Sequence, residues 1–498
     1  MSTFEDSDGN PVPEVTFARE GVQLLPAGAL RLRHAVFQSV TNMAPAAAIV
    51  YDFPAQALAA GAAMALSNVI ALAGVILIAF SVIEFARKLP SAGGYFTYIS
   101  RGLGPHTGAY TGWTFFLYSM VLPAEVTIIW AGITQALVLR YLHIHVSWIV
   151  FEAIMVGVVG FFGYTGVRRS ARTAMIAGSI EILIFIALSI GWLVHPASPV
   201  NLKPFLPSSS PTGWAGVLGF GLVFGILNFV GFEAAAPLGE ETREPQRNVP
   251  RAVMGAAIAI GLVYVFVSYA SVFGWGISGV ATRFATNAAP YNVLASRLWG
   301  PAWIFVYLAI TNSSLACSLA ISNQASRVLY AMGRIDLLPK ALGKVHPTHN
   351  TPYRAVVIQA VATLAIAVTA GLIWGTLSGF LVLATTLTIG AIVVYALGNV
   401  ALTLFYRREH RSEFSVVKHL ALPLIALALL VYVLYRTIWP VPPYPLNVPA
   451  YLSIAWLALG FGFVLYLSRR ARGGLRDAGK LFVEGEPANI PAPPAGQP

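Results

Sequence analysis

Apolar stretches of about 20 residues, the length at which an α-helix crosses the hydrocarbon core of a bilayer, recur along this chain and leave room for little else. They fall near 34–58, 64–88, 107–139, 146–166, 171–195, 214–237, 251–278, 301–331, 354–374, 377–405, 419–439 and 447–468, so twelve spans are expected. Two of them carry a polar or helix-breaking interruption, one in each half. The first reads Gln38-Ser39-Val40-Thr41-Asn42-Met43-Ala44-Pro45, the second Gly225-Ile226-Leu227-Asn228-Phe229-Val230-Gly231-Phe232-Glu233. Each unsatisfied backbone N–H or C=O in lipid costs several kcal/mol. Pro45 removes one N–H and Gly231 loosens its helix, so the freed groups are expected to line an enclosed cavity, where they can hold a solute. Paired discontinuous helices of this kind point to a secondary transporter.

Composition excludes a soluble globule. Hydrophobic residues make up 57% of the chain and charged residues 10%, with a mean hydropathy of +0.71, too little polarity to build a water-facing surface. The net charge of +11 alone would suit a nucleic acid. Its placement says otherwise. With the N-terminus inside, only Arg140, Lys203, Arg283, Arg297 and Arg436 of the 31 Lys and Arg fall outside, and the other 26 are cytoplasmic. This positive-inside bias is a topology signal. It predicts cytoplasmic termini and a multi-pass protein of the cytoplasmic (inner) membrane, whose partners are the bilayer and a small-molecule substrate, not nucleic acid. Residues 1–30 and 471–498 are expected to be disordered tails, the first too polar and acidic for a cleavable signal. The lone cysteine, Cys317, excludes an intrachain disulfide and a Cys-based metal cluster. No cofactor is expected.

The spans group as five (31–198), five (199–406) and two (407–470). The last two hold no Asp, Glu or Lys and no Arg apart from Arg436 near an end, and are expected at the periphery, as a lipid-facing or oligomer surface. Four stretches carry a further pattern: Pro90-Ser91-Ala92-Gly93-Gly94-Tyr95; Gly166-Val167-Arg168-Arg169-Ser170-Ala171; Gly231-Phe232-Glu233 running into Glu241 through Pro250-Arg251-Ala252; and Ser326-Arg327-Val328-Leu329-Tyr330-Ala331-Met332 through Leu338-Pro339. Each is weak singly; four in register against the expected helices are specific. On these residues the chain resembles bacterial amino-acid permeases of the amino acid–polyamine–organocation superfamily. The resemblance implies an all-α, leucine-transporter-like membrane fold, a five-plus-five inverted repeat with helices one and six broken, plus two peripheral helices. It also implies secondary active uptake or exchange of a small amino acid or amine. In one respect the chain departs from the family. Where many members have a Gly-Ser-Gly-like turn whose amides receive the substrate carboxylate, this chain has Ala44-Pro45-Ala46, with fewer donors and a tighter approach. A polyamine or ethanolamine-like amine therefore stands as the alternative to an amino acid.

Ionisable groups inside a membrane are costly and default to functional candidates. Asp52 and Glu84 are expected near helix ends, where a carboxylate reaches water cheaply, and Glu152 in a structural role. Glu181 is different: it lies mid-span among aliphatics, with no basic residue within several turns. Such a group can load and release a proton as a cavity alternates between baths, and the resemblance implies an ion-coupling role for helix five at this place. Glu233, after the second break, can accept from freed amides and act in gating or coupling, or bridge helices. Glu125 follows Pro123 and can receive a substrate ammonium, or stabilise the kink. Substrate contacts are expected from Thr41, Asn42, Met43, Ala44 and Ala46 in helix one and from Leu227, Asn228, Phe229 and Val230 in helix six. Ser313 and Ser314 in helix eight can complete an oxygen shell for Na⁺, although Ser and Thr also glue membrane helices. Proton coupling is the first expectation and Na⁺ the second. A membrane enzyme would need a nucleophile–base pair or ligands gathered at one depth, and a channel a polar stripe or a repeated filter. Neither pattern is present.

Overall fold

The computed structural model describes residues 30–91, 93–166, 171–239, 241–334, 339–349 and 351–470. The expected tails other than Leu30, Ala92 of the first motif, Val167 to Ser170 of the second and the Leu337-Leu338 stretch of the fourth lie outside them. The described residues are helical almost throughout. The first half holds α1 (Leu32–Met43), α2 (Pro45–Ala60), α3 (Met64–Lys88), α4 (Tyr95–Leu103), α5 (Pro105–Leu142), α6 (Trp148–Thr165) and α7 (Ala171–Val194). After them come α8 (Trp214–Val217), α9 (Phe220–Leu227), a 3-10 segment (Phe232–Leu238), α10 (Pro245–Trp275) and α11 (Pro290–Trp299). The chain ends in α12 (Ile304–Arg334), α13 (Tyr353–Glu409), α14 (Leu422–Ile438) and α15 (Val448–Arg470).

Ten runs among the described residues are long and apolar enough to cross a membrane. The expected number is twelve. The difference arises because two runs, Leu32–Lys88 and Tyr353–Glu409, are 57 residues long and each takes in two expected spans. A straight helix of that length would reach about 85 Å, nearly three times a hydrocarbon core of about 30 Å. Both runs are interrupted, the first by a 3-10 turn at Gly61–Ala63 in which Gly61 takes φ 56. Gly375 sits at φ 78, ψ 166 inside α13, and beyond it the chain doubles back, so that a Cβ on Gly379 would stand 3.1 Å from the Ala370 carbonyl oxygen.

α5 packs along α13 and α3 along α10, with α1 held between α10, α12 and the 3-10 segment. α14 and α15 lie outside this core against α3, α5 and α13, and α15 is the least buried apolar run, with 22% of its most apolar window enclosed. Its outward Leu459 and Phe461 are each 63% exposed, a face that only lipid or another apolar surface can solvate. At the opposite extreme, Glu84 is 5% exposed, against the expectation of a solvated end. Arg87 pairs with it at 2.7 Å, the Tyr406 hydroxyl donates to it at 3.1 Å, and His419 Nε2 lies 3.4 Å away. Partners replace the water that this helix end lacks.

Candidate functional site

Helix one breaks at Ala44, which adopts φ 45, ψ 63 between α1 and α2. Pro45 opens α2 with no N–H to give to Thr41, and the Ala44 amide serves the Thr41 carbonyl instead, at 3.2 Å. Three more of the freed groups are met by side chains from other helices. Tyr264 of α10 donates to the Met43 carbonyl at 3.1 Å, Cys317 of α12 to the Asn42 carbonyl at 3.4 Å, and the Ala47 amide donates to Ser313 Oγ at 3.3 Å. These groups at the break are thus satisfied by protein. Helix six breaks over Asn228 to Gly231, where successive bonds shorten to the 3-10 pattern and Gly231 takes φ 102. The two breaks touch: a Cβ on Gly231 would stand 2.9 Å from the Asn42 carbonyl carbon and Cβ.

Against this junction lies a small cavity. Helix one supplies Asn42, Met43, Ala44, Ala47, Ala48, Tyr51 and Asp52, and helix six Leu227 and Val230. Leu122, Glu125 and Val126 come from α5, Cys317 from α12, and Phe380 and Leu387 from the second arm of α13. Of the expected substrate contacts, Asn42, Met43, Ala44, Leu227, Val230 and Glu125 therefore gather here. Asn228 borders the site. Its side-chain amide lies 3.2 Å from Asn68 Oδ1, to which its nitrogen donates, and turned the other way the nitrogen donates to Asp52 Oδ2 at 3.1 Å and to the Phe224 carbonyl at 3.3 Å. Phe229 is not part of the lining: it is fully buried edge-on against Tyr264, ring centroids 5.4 Å apart. Thr41 and Ala46 also stand outside the lining, Thr41 serving the Ala44 amide through its carbonyl.

Asp52 is the residue sequence reasoning misses. Expected at a solvated end, it is 7% exposed in the middle of α2 and faces the cavity with Glu125. Glu125 Oε2 and Asn42 Oδ1 are buried there without a hydrogen-bond partner. No Lys, Arg or His lines the space. The cavity therefore offers two carboxyl groups and an unpaired amide oxygen, a setting for a ligand that brings hydrogen-bond donors.

The expected coupling residues lie around it. Glu181, on α7, accepts from Asn312 Nδ2 of α12 at 3.2 Å. The next residue, Ser313, holds the Ala47 amide, and Ser314 Oγ lies 2.8 Å from the Tyr51 hydroxyl. Both serines thus tie α12 to α2. Glu233 lies below the second break, where Tyr395 of α13 donates to it at 3.0 Å. Among the described residues no three His, Cys, Asp or Glu side chains gather as a metal set would.

The sequence is similar to those of known proteins. Residues 34–470 match the Amino acid permease family. The chain belongs to that family. A branched-chain amino acid permease of Bacillus subtilis (strain 168) is 27% identical over 324 residues, covering 60% of this chain and 66% of the relative, just under two thirds of its length. A low-affinity putrescine importer of Escherichia coli (strain K12) is 28% identical over 355 residues, 69% of this chain and 74% of the relative. A methylthioribose transporter of Bacillus subtilis (strain 168) is 25% identical over 445 residues, 83% and 87% of the two chains. This permease is a multi-pass membrane protein that takes a small-molecule substrate, and the family and these relatives are transporters rather than enzymes.

Proposed function

We propose that this permease moves a small amine-bearing solute across the cytoplasmic membrane by alternating access, with the amine held as a cation between Asp52 and Glu125. One observation carries the reading. Two buried carboxylates face one cavity at the junction of the broken helices, and no basic side chain answers them. A substrate ammonium supplies the missing charge, and its three N–H donors suit Glu125 Oε2, Asn42 Oδ1 and Asp52. Carbonyls at the C-terminal end of α1 add negative potential, while Leu122, Leu227, Val230 and Phe380 suit the apolar part of the solute. The similarity to a putrescine importer supports an amine without a carboxylate. The similarity to a branched-chain amino acid permease supports the amino-acid alternative, but a second carboxylate beside the bound one would repel it.

The architecture behind this reading is a twelve-span, five-plus-five inverted repeat in which each 57-residue run crosses twice. Its support is the interruption of both runs and the matched breaks in helices one and six. Coupling is to protons through Glu181, whose bond to Asn312 joins α7 to the helix that holds α2.

The test compares ligands that differ only in the carboxylate. Purified protein is titrated with an amino acid and with the amine obtained by decarboxylating it, reading the melting temperature, since a ligand stabilises the native state by RT ln(1 + [L]/Kd). Equal or tighter binding of the amine is expected. Glu125→Gln and Asp52→Asn should each weaken it by at least about tenfold, the scale of a lost charge-assisted hydrogen bond. Binding that requires the carboxylate, or is indifferent to both substitutions, would overturn the assignment.

A further inference from the structure

Behind the substrate cavity lies a second one with different chemistry. Its polar lining comes from Thr127 of α5, Ser318, Ser322 and Asn323 of α12, and Gln359 and Thr363 of α13, and Gly160 of α6 closes one side. The two cavities stand back to back across shared walls. α5 turns Glu125 and Val126 to the first and Pro123 and Thr127 to the second; α12 turns Cys317 to the first and Ser318 to the second.

Several buried oxygens in and beside the second cavity lack a hydrogen-bond partner. Pro123 lacks the N–H that would serve the Ser119 carbonyl four residues back, and Gln359 Nε2 reaches across from α13 to serve it at 2.9 Å. That bond sets the amide. Gln359 Oε1 is left without a partner although the residue is 1% exposed. Ser318 Oγ, fully buried, has none either. Glu152 stands one helical turn from the lining residue Val156 and is also fully buried. The Thr127 hydroxyl donates to its Oε1 at 2.7 Å, and its Oε2 has no partner. No Lys, Arg or His lines the space.

A carboxylate in a membrane interior without a counter-charge is costly. Hard oxygen donors converging from several helices on a small space are what a dehydrated alkali cation requires. We propose that this cavity is an alkali-cation site, in which Glu152 balances the charge while Gln359 Oε1, Ser318 Oγ and Thr127 Oγ1 contribute to the oxygen shell. One carboxylate matches a monovalent ion. The ion ties α5, α6, α12 and α13 together and so stiffens the wall that presents Glu125 and Cys317 to the substrate.

The experiment uses the full chain in lipid nanodiscs without substrate, with NaCl or KCl replacing choline chloride at constant ionic strength. It is run in wild type and in Glu125→Gln so that choline in the first cavity is controlled for. A saturable rise in melting temperature with at least one of the two salts is expected. Glu152→Gln should abolish it, and Ser318→Ala should raise the half-saturating concentration about tenfold. Glu125→Gln and Asp52→Asn should leave it intact. Equal melting in choline and both alkali salts would overturn the proposal. So would a response that survives Glu152→Gln, or one that disappears with Glu125→Gln and thus belongs to the first cavity. Should Glu152→Gln fail to fold, binding of radiolabelled sodium and rubidium to wild type and Ser318→Ala decides: no saturable binding, or identical binding by both, refutes the site. A protein that bound no amine would still show the cation response, so the two readings fail separately.

Discussion

Single residues at the junction of the breaks carry more than their size suggests. Gly231 has φ 102, and any Cβ there would stand 2.9 Å from Asn42. Backbone strain of about 1–3 kcal/mol is the ordinary penalty for a non-glycine residue in such a conformation, and the contact adds to it because Asn42 is held by Cys317 through its carbonyl. Gly231→Ala is therefore expected to lower the melting temperature and to abolish substrate uptake by separating the two breaks. Gly255, in the interior of α10, has nothing within 4 Å of its Cβ position. Gly255→Ala should be neutral, or stabilising by up to about 1 kcal/mol. If both variants melt and transport alike, close contact of the breaks is not what Gly231 provides.

At the scale of elements, α12 is the connector. Asn312 reaches Glu181 on α7, Ser313 and Ser314 hold α2, and Cys317 holds the end of α1. A change in the protonation of Glu181 alters what Asn312 donates to, and Asn312 adjoins the serine that anchors the Ala47 amide. Glu181→Gln keeps the shape and an acceptor oxygen but cannot exchange a proton. It should abolish accumulation driven by an inward proton gradient in proteoliposomes while leaving substrate binding within about twofold of wild type, since no contact to the cavity is lost. A variant that still concentrates solute on the gradient would exclude Glu181 from coupling. The position of Glu181 within its helix is legible in sequence because an isolated carboxylate in an aliphatic run stands out. Its partner is not, since Asn312 lies 131 residues away and only packing brings it near. Phe229 shows another limit: a 3-10 turn advances the chain differently from an α-helix, so the face it presents does not follow from the residues of α9 before it.

For the molecule as a whole, the order and approximate bounds of the apolar helical runs are readable from apolar length alone, because lipid permits so few backbone solutions. The breaks are readable too, since Pro45 and Gly231 violate a pattern that is otherwise uninterrupted. The pairing of Asp52 with Glu125 in one cavity is not. Asp52 precedes Phe53-Pro54 and reads as the end of a stretch, whereas α2 continues through Pro54 to Ala60 and leaves the carboxylate mid-helix. Orientation in the membrane rests on charge, and it can be checked directly. The 26 basic residues expected inside lie with Arg247 and Lys340, and the five expected outside include Lys203 and Arg283. On a Cys317→Ser background, which removes the lone thiol, single cysteines beside Lys203 or Arg283 should react with an impermeant maleimide in intact cells. Those beside Arg247 or Lys340 should react only after permeabilisation. Because the five outside positions are spread from the first group of spans to the last two, an even number of crossings between them has to hold throughout. A single site that labels on the wrong side would break the twelve-span count at an identifiable helix, and reversal of all of them would mean that the positive-inside bias does not orient this chain.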